Sequence, residues 1–272
     1  MSEEVLLIFP LNNFSSDVEL LKLDDRTCLR RANSNEIQKL IGSASEYRAV
    51  MRDALRSVNC VIETRIMYDE LSPDLTAEWP YLRDIVLALR LLKAGDVHVS
   101  CSFWLQENKI IGVNLPSSFD LLFSENPYFL KKEETASFEG LWKKVQKSKE
   151  NKPYLEFPLT QFMEAFEERA SGRLSDAIVD YIVAFESLVF YEEGRSIEPA
   201  GKVIGIAIGM LLGKNEKERK RIKKTLTEAY EIRNAKVHGN LKKLKKYQKA
   251  VNEVSISVEN NLRCALRKFL EE

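Results

Sequence analysis

The chain has 272 residues, of which 44% are hydrophobic and 30% charged, the composition of a globular protein with a substantial core. Its 41 Lys and Arg balance its 41 Asp and Glu, so net charge alone indicates no polyanionic partner. The longest apolar run, Val203 to Leu212, is half as long as a membrane span, and the acidic start is unlike a secretory signal. We therefore expect a cytoplasmic protein with no membrane association.

Cysteine and histidine content limits the kinds of site that the chain can build. The four cysteines stand far apart and form no Cys-x-x-Cys pair, which argues against a disulfide framework and a cysteine zinc site. His98 and His238 are the only histidines, so a histidine-rich metal centre is excluded. His98 lies beside serines on the polar side of an alternating segment, where we expect a surface residue. We predict no metal and no cofactor.

Residues 1–130 are predicted to form a domain of mixed strands and helices. Apolar runs, β-branched segments and a period of two predict strands at residues 5–9 (ended by Pro10), 18–23, 59–68 and from Val97 to Trp104. Capping side chains or apolar residues three and four positions apart predict helices at 33–42 and 79–93. These elements alternate along the chain, which is typical of a mixed domain.

The rest of the chain has a different pattern. Residues 131–158 are rich in Lys and Glu and are predicted to connect two domains, with at most one short helix around Trp142. Residues 159–272 show only helical patterns, with helices predicted after Thr160 and over 174–191, 199–213, 216–238 and 241–270. The predicted fold class is therefore α+β, with an N-terminal mixed domain followed by an all-helical bundle.

Two stripes on the predicted helices concern packing. Glycines recur every four residues from Gly201 to Gly213 and let another helix approach closely, either in the core or across a dimer interface. Apolar residues from Leu241 to Phe269 line one side of the last helix, so its partner is another helix. That partner belongs either to the same bundle or to a second copy of the chain.

Positive charge is concentrated between Gly213 and Lys249. This segment has 14 Lys and Arg against 4 Glu, a net charge of +10, whereas the remaining chain has 27 against 37. A basic stripe on a helical hairpin is what contact with RNA phosphates requires. The alternative is a lysine face that is only solvated, as charge runs on exposed helices commonly are.

The segment 230–239 carries the residues best suited to chemistry. Asn234 directly follows Arg233, and His238 comes one helical turn later and shares a face with Asn234. Gly239 is a good helix terminator, so His238 is expected at a helix C-terminus, where the dipole favours a cationic imidazole. The long Arg233 side chain can reach over to meet this imidazole.

Glu186 is a carboxylate in an apolar helix, with Ile182 and Phe190 one turn away on its own stripe. A carboxylate cannot be left dry and unpaired in such a place. We predict Arg233 as its cation, with Arg195 and Lys202 as alternatives. The pair either belongs to a functional site or merely fixes the register of two helices.

These residues together resemble the HEPN domain, specifically its ApeA-like group. The resemblance rests on the helix Asp176-x9-Glu186-Ser187-Leu188 and on the ending Arg233-Asn234-x3-His238-Gly239, preceded by Tyr230, and it continues more weakly over 89–97. Family members are helical bundles, commonly dimeric, and many are metal-independent endoribonucleases with an Arg-x4–6-His motif. Asn240 stands where members controlled by nucleotide transfer carry a tyrosine, so the resemblance does not extend to that control.

The resemblance implies a metal-independent endoribonuclease or RNA-binding effector of a defence or toxin system, acting with a regulatory partner protein. The candidate catalytic residues are Arg233, Asn234, His238 and Glu186. The candidate RNA-binding residues are Lys236, Lys242, Lys243, Lys245 and Lys246.

RNA cleavage needs two proton transfers, and one histidine cannot easily perform both in one step. A homodimer that brings two His238 side chains together would supply the second group. The alternative function is a catalytically silent interaction or dimerisation module, in which Arg233, Asn234 and His238 only hold the bundle together. The exposure of Arg233 and His238 distinguishes the two functions, because catalysis needs both side chains to be accessible to a substrate.

Overall fold

The computed structural model describes residues 4–43, 49–67, 79–99, 101–114, 126–191 and 200–272. The chain divides into two compact units, Met1–Trp142 and Lys143–Glu272. The fold class is α+β, as predicted, because the first unit contains an antiparallel sheet and the second is helical. No helix in the described ranges is both long enough and apolar enough to cross a membrane.

The N-terminal unit is built around an antiparallel sheet. The strands described in this unit are β1 (Glu4–Asn12), β2 (Phe14–Ser16), β3 (Leu20–Lys22), β4 (Thr27–Arg31), β5 (Cys60–Met67), β6 (His98–Val99), β7 (Ser102–Gln106), β8 (Lys109–Asn114) and β9 (Tyr128–Leu130). The order in the main sheet is β3-β4-β5-β1-β7-β8, β6 pairs with the end of β1, and β2 and β9 form a small parallel pair.

Strand β1 is longer than the sequence predicts, because it continues through Pro10. It pairs with β5 along its length, with β7 at Leu6–Ile8 and with β6 at Leu11–Asn12. Pro10 lies between these last two stretches, so its missing N–H interrupts neither of them. The prediction that Pro10 ends the strand was wrong.

Helices α1 (Ser34–Ser43), α2 (Ala49–Arg56) and α3 (Trp79–Leu92) complete this unit. Asn33 caps α1 as predicted, since its side-chain oxygen accepts a hydrogen bond from the N–H of Asn35 at 2.8 Å. Ile37 and Leu40 of α1 pack with Leu55 of α2 in one buried cluster, whose sheet members are Ile8, Val61 and Phe103.

His98 is buried, so the prediction of a surface histidine was wrong. The alternating pattern is divided between β6 and β7, so it does not run through one strand as predicted. His98 lies directly opposite Asn12, and opposite residues of an antiparallel pair share a face. The Asn12 amide donates to the carbonyl of Ala54 in α2 at 2.9 Å, so this face is covered by a helix.

The segment predicted to be a connection is mostly helical. Helix α4 (Thr135–Asn151) has 17 residues, and 3-10 turns at Lys132–Glu134 and Pro153–Leu155 flank it. The expectation of at most one short helix was therefore wrong, because Phe138, Trp142 and Val145 form a buried stripe at helical spacing. The division between the two units falls inside α4, between Trp142 and Lys143.

The C-terminal unit is a helical bundle, as predicted. It contains α5 (Glu156–Ala170), α6 (Leu174–Val189), α7 (Ala200–Leu212), α8 (Glu216–Val237), α9 (Leu241–Tyr247) and α10 (Val251–Glu271). Helix α5 begins before the predicted Thr160 and holds Pro158 in its first turn, where a helix needs no N–H. Pro199, predicted as the start of a helix, lies outside the described residues. Helix α6 packs against α5, α8 and α10.

The last predicted helix is in fact two, because the chain breaks between α9 and α10 at residues 248–250. Val254, Val258, Leu262 and Leu266 are buried in α10, which packs against α5, α6, α7 and α8. The apolar stripe of α10 is therefore used within the bundle, the first of the two alternatives. Leu241, by contrast, is exposed.

The glycine stripe lies between α7 and α8. A Cβ on Gly201 would stand 2.7 Å from the Tyr230 ring, and a Cβ on Gly205 would meet Lys223 at 3.1 Å. Gly209 and Gly213 approach Arg219 in the same way. The stripe is a core contact within the bundle, one of the two predicted uses.

A buried ionic cluster lies elsewhere in the bundle. Glu259 accepts a hydrogen bond from the Tyr181 hydroxyl at 3.1 Å and pairs with Arg169 at 2.7 Å and with Arg263. Arg263 lies 5.9 Å from the Phe162 ring centroid and also donates to Asn260. Glu259 and Arg263 thus each have several partners, which a charge in the interior requires.

Candidate active site

The C-terminal end of α8 fixes the backbone around His238. The His238 N–H donates to Asn234, that of Gly239 to Lys236 at 3.1 Å, and that of Asn240 to Ala235 at 2.8 Å. Gly239 has a φ of +65°, so the three residues form a Schellman motif with glycine in the left-handed position. The helix terminator predicted from the sequence is confirmed.

Asn240 also begins the next helix. Its side-chain oxygen accepts a hydrogen bond from the N–H of Lys243 at 3.0 Å and so caps α9. Tyr247, at the other end of α9, donates to Glu231 of α8. The short turn that carries His238 is therefore held at both sides by helix ends and by a contact between α8 and α9.

Arg233 lies one turn before this end of α8 and is the centre of the candidate site. One terminal nitrogen donates to the Asn234 side-chain oxygen at 3.1 Å, and the other contacts Glu186 at 3.3 Å. Its Nε–H is buried and has no hydrogen-bond partner among the described residues. An arginine has five donors in a planar fork, so this guanidinium keeps donors available for an oxyanion.

The Glu186–Arg233 ion pair predicted from the apolar surroundings of Glu186 is present. The two side chains are 25% and 22% exposed, so the pair is half-buried. Its single N···O contact of 3.3 Å is longer than usual for a charge-assisted hydrogen bond. The pair therefore holds Arg233 without occupying its whole donor edge.

Tyr230 is the site residue whose role the sequence did not reveal. The Arg233 guanidinium carbon lies 5.6 Å from its ring centroid. Burial, followed by the negative charge of Glu186, raises the pKa of Tyr230. A signal was present in the sequence, because Tyr230 and Arg233 are three residues apart on one helix and so are neighbours on its surface.

Lys236 continues the row of site residues along α8. Its ammonium pairs with Asp176 of α6 at 3.0 Å. Asp180 lies one turn further along α6, and burial together with Glu164, Glu168 and Asp176 raises its pKa to about 6. Lys236 therefore has an acidic partner, whereas the charged groups around Asp180 are themselves carboxylates.

His238 is exposed at the C-terminal cap of α8, one turn beyond Asn234. The expectation that Arg233 turns to the imidazole is not met, because the guanidinium is directed to Glu186, Asn234 and the Tyr230 ring. The imidazole makes no hydrogen bond or ion pair with the described parts of the chain. It is therefore free to meet a group outside the chain.

The lysines predicted to bind RNA surround the His238 turn. Lys242, Lys245 and Lys246 are exposed on α9, and Lys243 is half-exposed with Glu231 at 3.6 Å. Lys246 lies 5.5 Å from the Tyr247 ring centroid. Apart from Lys236 and Lys243, which have acidic partners, these ammonium groups face solvent.

The arrangement combines an arginine with spare donors, an exposed histidine one turn away and a basic helix beside them. Such a set suits an anionic, phosphate-containing ligand. Within the residues that the structure describes, no three His, Cys, Asp or Glu side chains are placed to hold a metal ion. Comparison of the chain with protein-family models, with curated proteins and with solved structures gave no match.

Proposed function

We propose that the C-terminal unit is a metal-independent, HEPN-type endoribonuclease or RNA-binding effector. The observation that carries the proposal is Arg233, whose side chain is 22% exposed and whose two terminal nitrogens each make one contact, with Asn234 and with Glu186, so that each keeps a further N–H. His238, one turn further, is exposed. A catalytic pair needs this openness, whereas a purely structural pair would be buried.

The proposed chemistry follows from the two side chains. His238 removes the proton from a ribose 2′-hydroxyl, the 2′-oxygen bonds to phosphorus, and the bond from phosphorus to the 5′-oxygen breaks. Arg233 stabilises the charge that develops on the non-bridging oxygens. A second acid protonates the leaving 5′-oxygen, and the products are a 2′,3′-cyclic phosphate and a 5′-hydroxyl. Asn234 and Glu186 hold the guanidinium in position.

A homodimer is part of the proposal, because it supplies that second acid. Val237 and Leu241, on either side of the His238 turn, are 55% and 70% exposed. These two side chains would be covered if two copies of the chain met at this turn. Two copies that meet at this turn would bring two His238 side chains to one phosphate. Mixed dimers with His238→Ala in one copy should then lose most of their activity.

The defining experiment compares Arg233→Ala and His238→Ala with Arg221→Ala, an exposed arginine of the same helix. Each of the first two changes should reduce RNA cleavage by about 100-fold or more, because general acid–base and oxyanion contributions are of that size. Cleavage should persist in EDTA and leave cyclic phosphate ends. Loss of cleavage on chelation, or equal rates in all three variants, would contradict the proposal.

The exposed lysines of α9 should contribute to RNA affinity. Replacing Lys242, Lys245 and Lys246 by Gln should weaken binding to many RNA sequences alike and reduce the salt slope by about 0.7 per lost phosphate contact. The control replaces Lys143, Lys144 and Lys147, which are equally exposed on α4. An equal slope in both triple variants would mean that the α9 lysines are only solvated.

The second candidate is a catalytically silent interaction module of the same bundle. The Glu186–Arg233 ion pair favours it, since such a pair can fix helix register without any chemistry. In that case Arg233→Ala would lower stability, and His238→Ala would change nothing measurable. A role in a defence or toxin system, and a regulatory protein that acts through the N-terminal unit, belong to the first proposal and depend on cleavage being found.

A further inference from the structure

Helix α7 has one side on which apolar residues are exposed to solvent. Its glycines approach α8, and Ile204 and Ile208 on another side are buried in the bundle. On the remaining side, Ile206 is 45% exposed and Met210 is 59% exposed. These two residues and their partly exposed neighbours form what we call the α7 stripe: Val203, Ile206, Ala207, Met210 and Leu211.

The spacing of the α7 stripe is that of a contact between helices. Val203, Ile206 and Met210 are three and then four positions apart, which is the a/d spacing by which one helix packs against another. Ile256 of α10 is 46% exposed, but no other large hydrophobic residue of α10, which the structure describes in full, is exposed. A single exposed apolar residue is ordinary, whereas a contiguous row of them marks an interaction site.

Lysines stand at both ends of the α7 stripe. Lys202 directly precedes Val203 and so takes the position that faces the charges of a partner helix. Lys214 follows the end of α7, and both lysines are exposed. Helix α7 itself contains no acidic residue. A second copy of α7 would therefore bring lysine opposite lysine in either direction, which is unfavourable.

The first half of α8 adds positive charge beside α7. Cβ atoms on Gly205 and Gly209 would meet Lys223 and Arg219, so this part of α8 runs along α7. Residues 214–224 contain 7 Lys and Arg against 2 Glu, a net charge of +5. The exposed cations of this segment are Lys214, Lys217, Arg219, Lys220, Arg221 and Lys224. A partner that covers the α7 stripe is therefore favoured if it is acidic.

We propose that the α7 stripe is the docking site for an acidic amphipathic helix of another protein. The apolar side of that helix covers Ile206 and Met210, and its carboxylates face Lys202 and Lys214. The spacing of the stripe calls for a helix, and the charges around it call for Asp or Glu beside the apolar residues of that helix. RNA cleavage is not required for this interaction, because none of these residues belongs to the candidate active site.

Two synthetic peptides of three heptads test the kind of partner. Both carry Leu at positions a and d, and one carries Glu and the other Lys at positions e and g. The glutamate peptide should bind the full chain about tenfold more tightly or better, because only its charges are complementary. Fluorescence anisotropy of labelled peptides measures both affinities. Equal affinities, or no binding of the glutamate peptide at about 1 mM, would overturn the proposal.

Substitutions in the α7 stripe test the apolar contact. Ile206→Glu and Met210→Glu should each weaken binding of the glutamate peptide about tenfold or more, because a carboxylate would enter a dry contact. Ile256→Glu is the matched control, since Ile256 is equally exposed on another helix, and it should keep the wild-type affinity. Circular dichroism should show the same helix content in all three variants. Unchanged affinity in Ile206→Glu would mean that the stripe is not the site.

A charge exchange tests the role of the lysines separately from folding. The double variant Lys202→Glu, Lys214→Glu should reduce the preference for the glutamate peptide over the lysine peptide about fivefold or more. A loss of stability weakens both peptides alike and leaves that ratio unchanged. The control exchanges Lys143 and Lys144, which are also exposed, and should leave the ratio as it is. An equal ratio in both double variants would refute the acidic character of the partner.

Two other occupants of the α7 stripe would give different results. If phosphatidylserine vesicles bind the chain, neither peptide does, and Ile206→Glu abolishes vesicle binding, then the stripe binds lipid and the proposal is wrong. If the wild type sediments as a dimer and Ile206→Glu as a monomer, then the occupant is a second copy of the chain and the proposal is equally wrong. Binding of the glutamate peptide to a wild type whose α7 stripe binds neither vesicles nor a second copy is the expected result.

Discussion

Two arginine–glutamate clusters of the same bundle differ in burial and in the number of groups around the carboxylate. Around Glu259, the carboxylate has two arginines and a tyrosine hydroxyl, and Glu259 and Arg263 are each 6% exposed. Around Glu186, the carboxylate has one arginine at 3.3 Å, and that arginine keeps a buried N–H without a partner among the described residues. The first carboxylate is thus deeply buried and shared by two arginines, whereas the second is half-buried and has one. A buried arginine Nε–H without a hydrogen-bond partner among the described residues occurs in both clusters, on Arg169 and on Arg233.

This difference indicates which of the two clusters is better suited to bind an anionic ligand. A deeply buried carboxylate that is shared by two arginines and a tyrosine hydroxyl serves to fix helices, as Glu259 does for α5, α6 and α10. An arginine whose donors are only partly used can still accept an oxyanion at little cost. The same residue types thus give a structural cluster in one place and a candidate site in another.

The largest expected effect comes from removing the charge of the more deeply buried carboxylate. Glu259→Gln removes the anion between Arg169 and Arg263, and breaking a buried pair in this way costs about 3–5 kcal/mol of unfolding free energy. Glu186→Gln, at the half-buried pair, should cost about 1 kcal/mol or less. Urea unfolding followed by circular dichroism measures both, and equal losses of unfolding free energy would show that the two carboxylates do not differ in their contribution to stability.

The two histidines repeat the contrast in burial, since His98 is buried and His238 is exposed. Burial is the main cause that lowers the pKa of His98 to about 4, whereas an unfolded histidine titrates near 6.5. Between these values the unfolded chain binds more protons, so stability falls as pH decreases from about 6.5 to 4. The loss should be about 3 kcal/mol, measured by hydrogen exchange of the β1 amides. His98→Gln should remove this pH dependence, and the exposed His238→Gln should retain it.

The smallest expected effect concerns a carboxyl group with acidic neighbours. The pKa of Asp180 is raised to about 6, so the folded chain binds more protons than the unfolded one between pH 3.8 and 6. Stability from this group is therefore lost as pH rises through that range. Asp180→Asn should stabilise the protein at pH 7 by about 1 kcal/mol, after allowance for screening at a half-exposed site. A destabilised Asp180→Asn at pH 7 would show that its charge has a cation partner.

The Glu186–Arg233 ion pair was predictable from the sequence because α6 carries a charged residue between apolar ones. Glu186 among Ile182 and Phe190 demands a cation, and Arg233 supplies it. The sequence did not reveal the Glu259 cluster in the same way. On α10 its charges lie between apolar residues of a regular stripe, so the period of the helix hides them, and their partners come from α5 and α6.

The fold was predictable where periodicity is local and long. Helices α3, α6 and α8 follow from apolar residues every three or four positions, and their bounds agree within a few residues. The errors fall where a neighbour in space decides the outcome. Pro10 is tolerated in β1 because of where β6 and β7 stop, and His98 is buried because α2 covers the face that it shares with Asn12.

The division of the chain at Trp142 has a spectroscopic consequence. The three tryptophans, Trp79, Trp104 and Trp142, all belong to the unit Met1–Trp142. Indole fluorescence therefore reports on that unit alone, and the helical bundle contributes only tyrosine emission. An introduced tryptophan at Phe157, an exposed aromatic position of α5, would give the bundle an emission signal of its own.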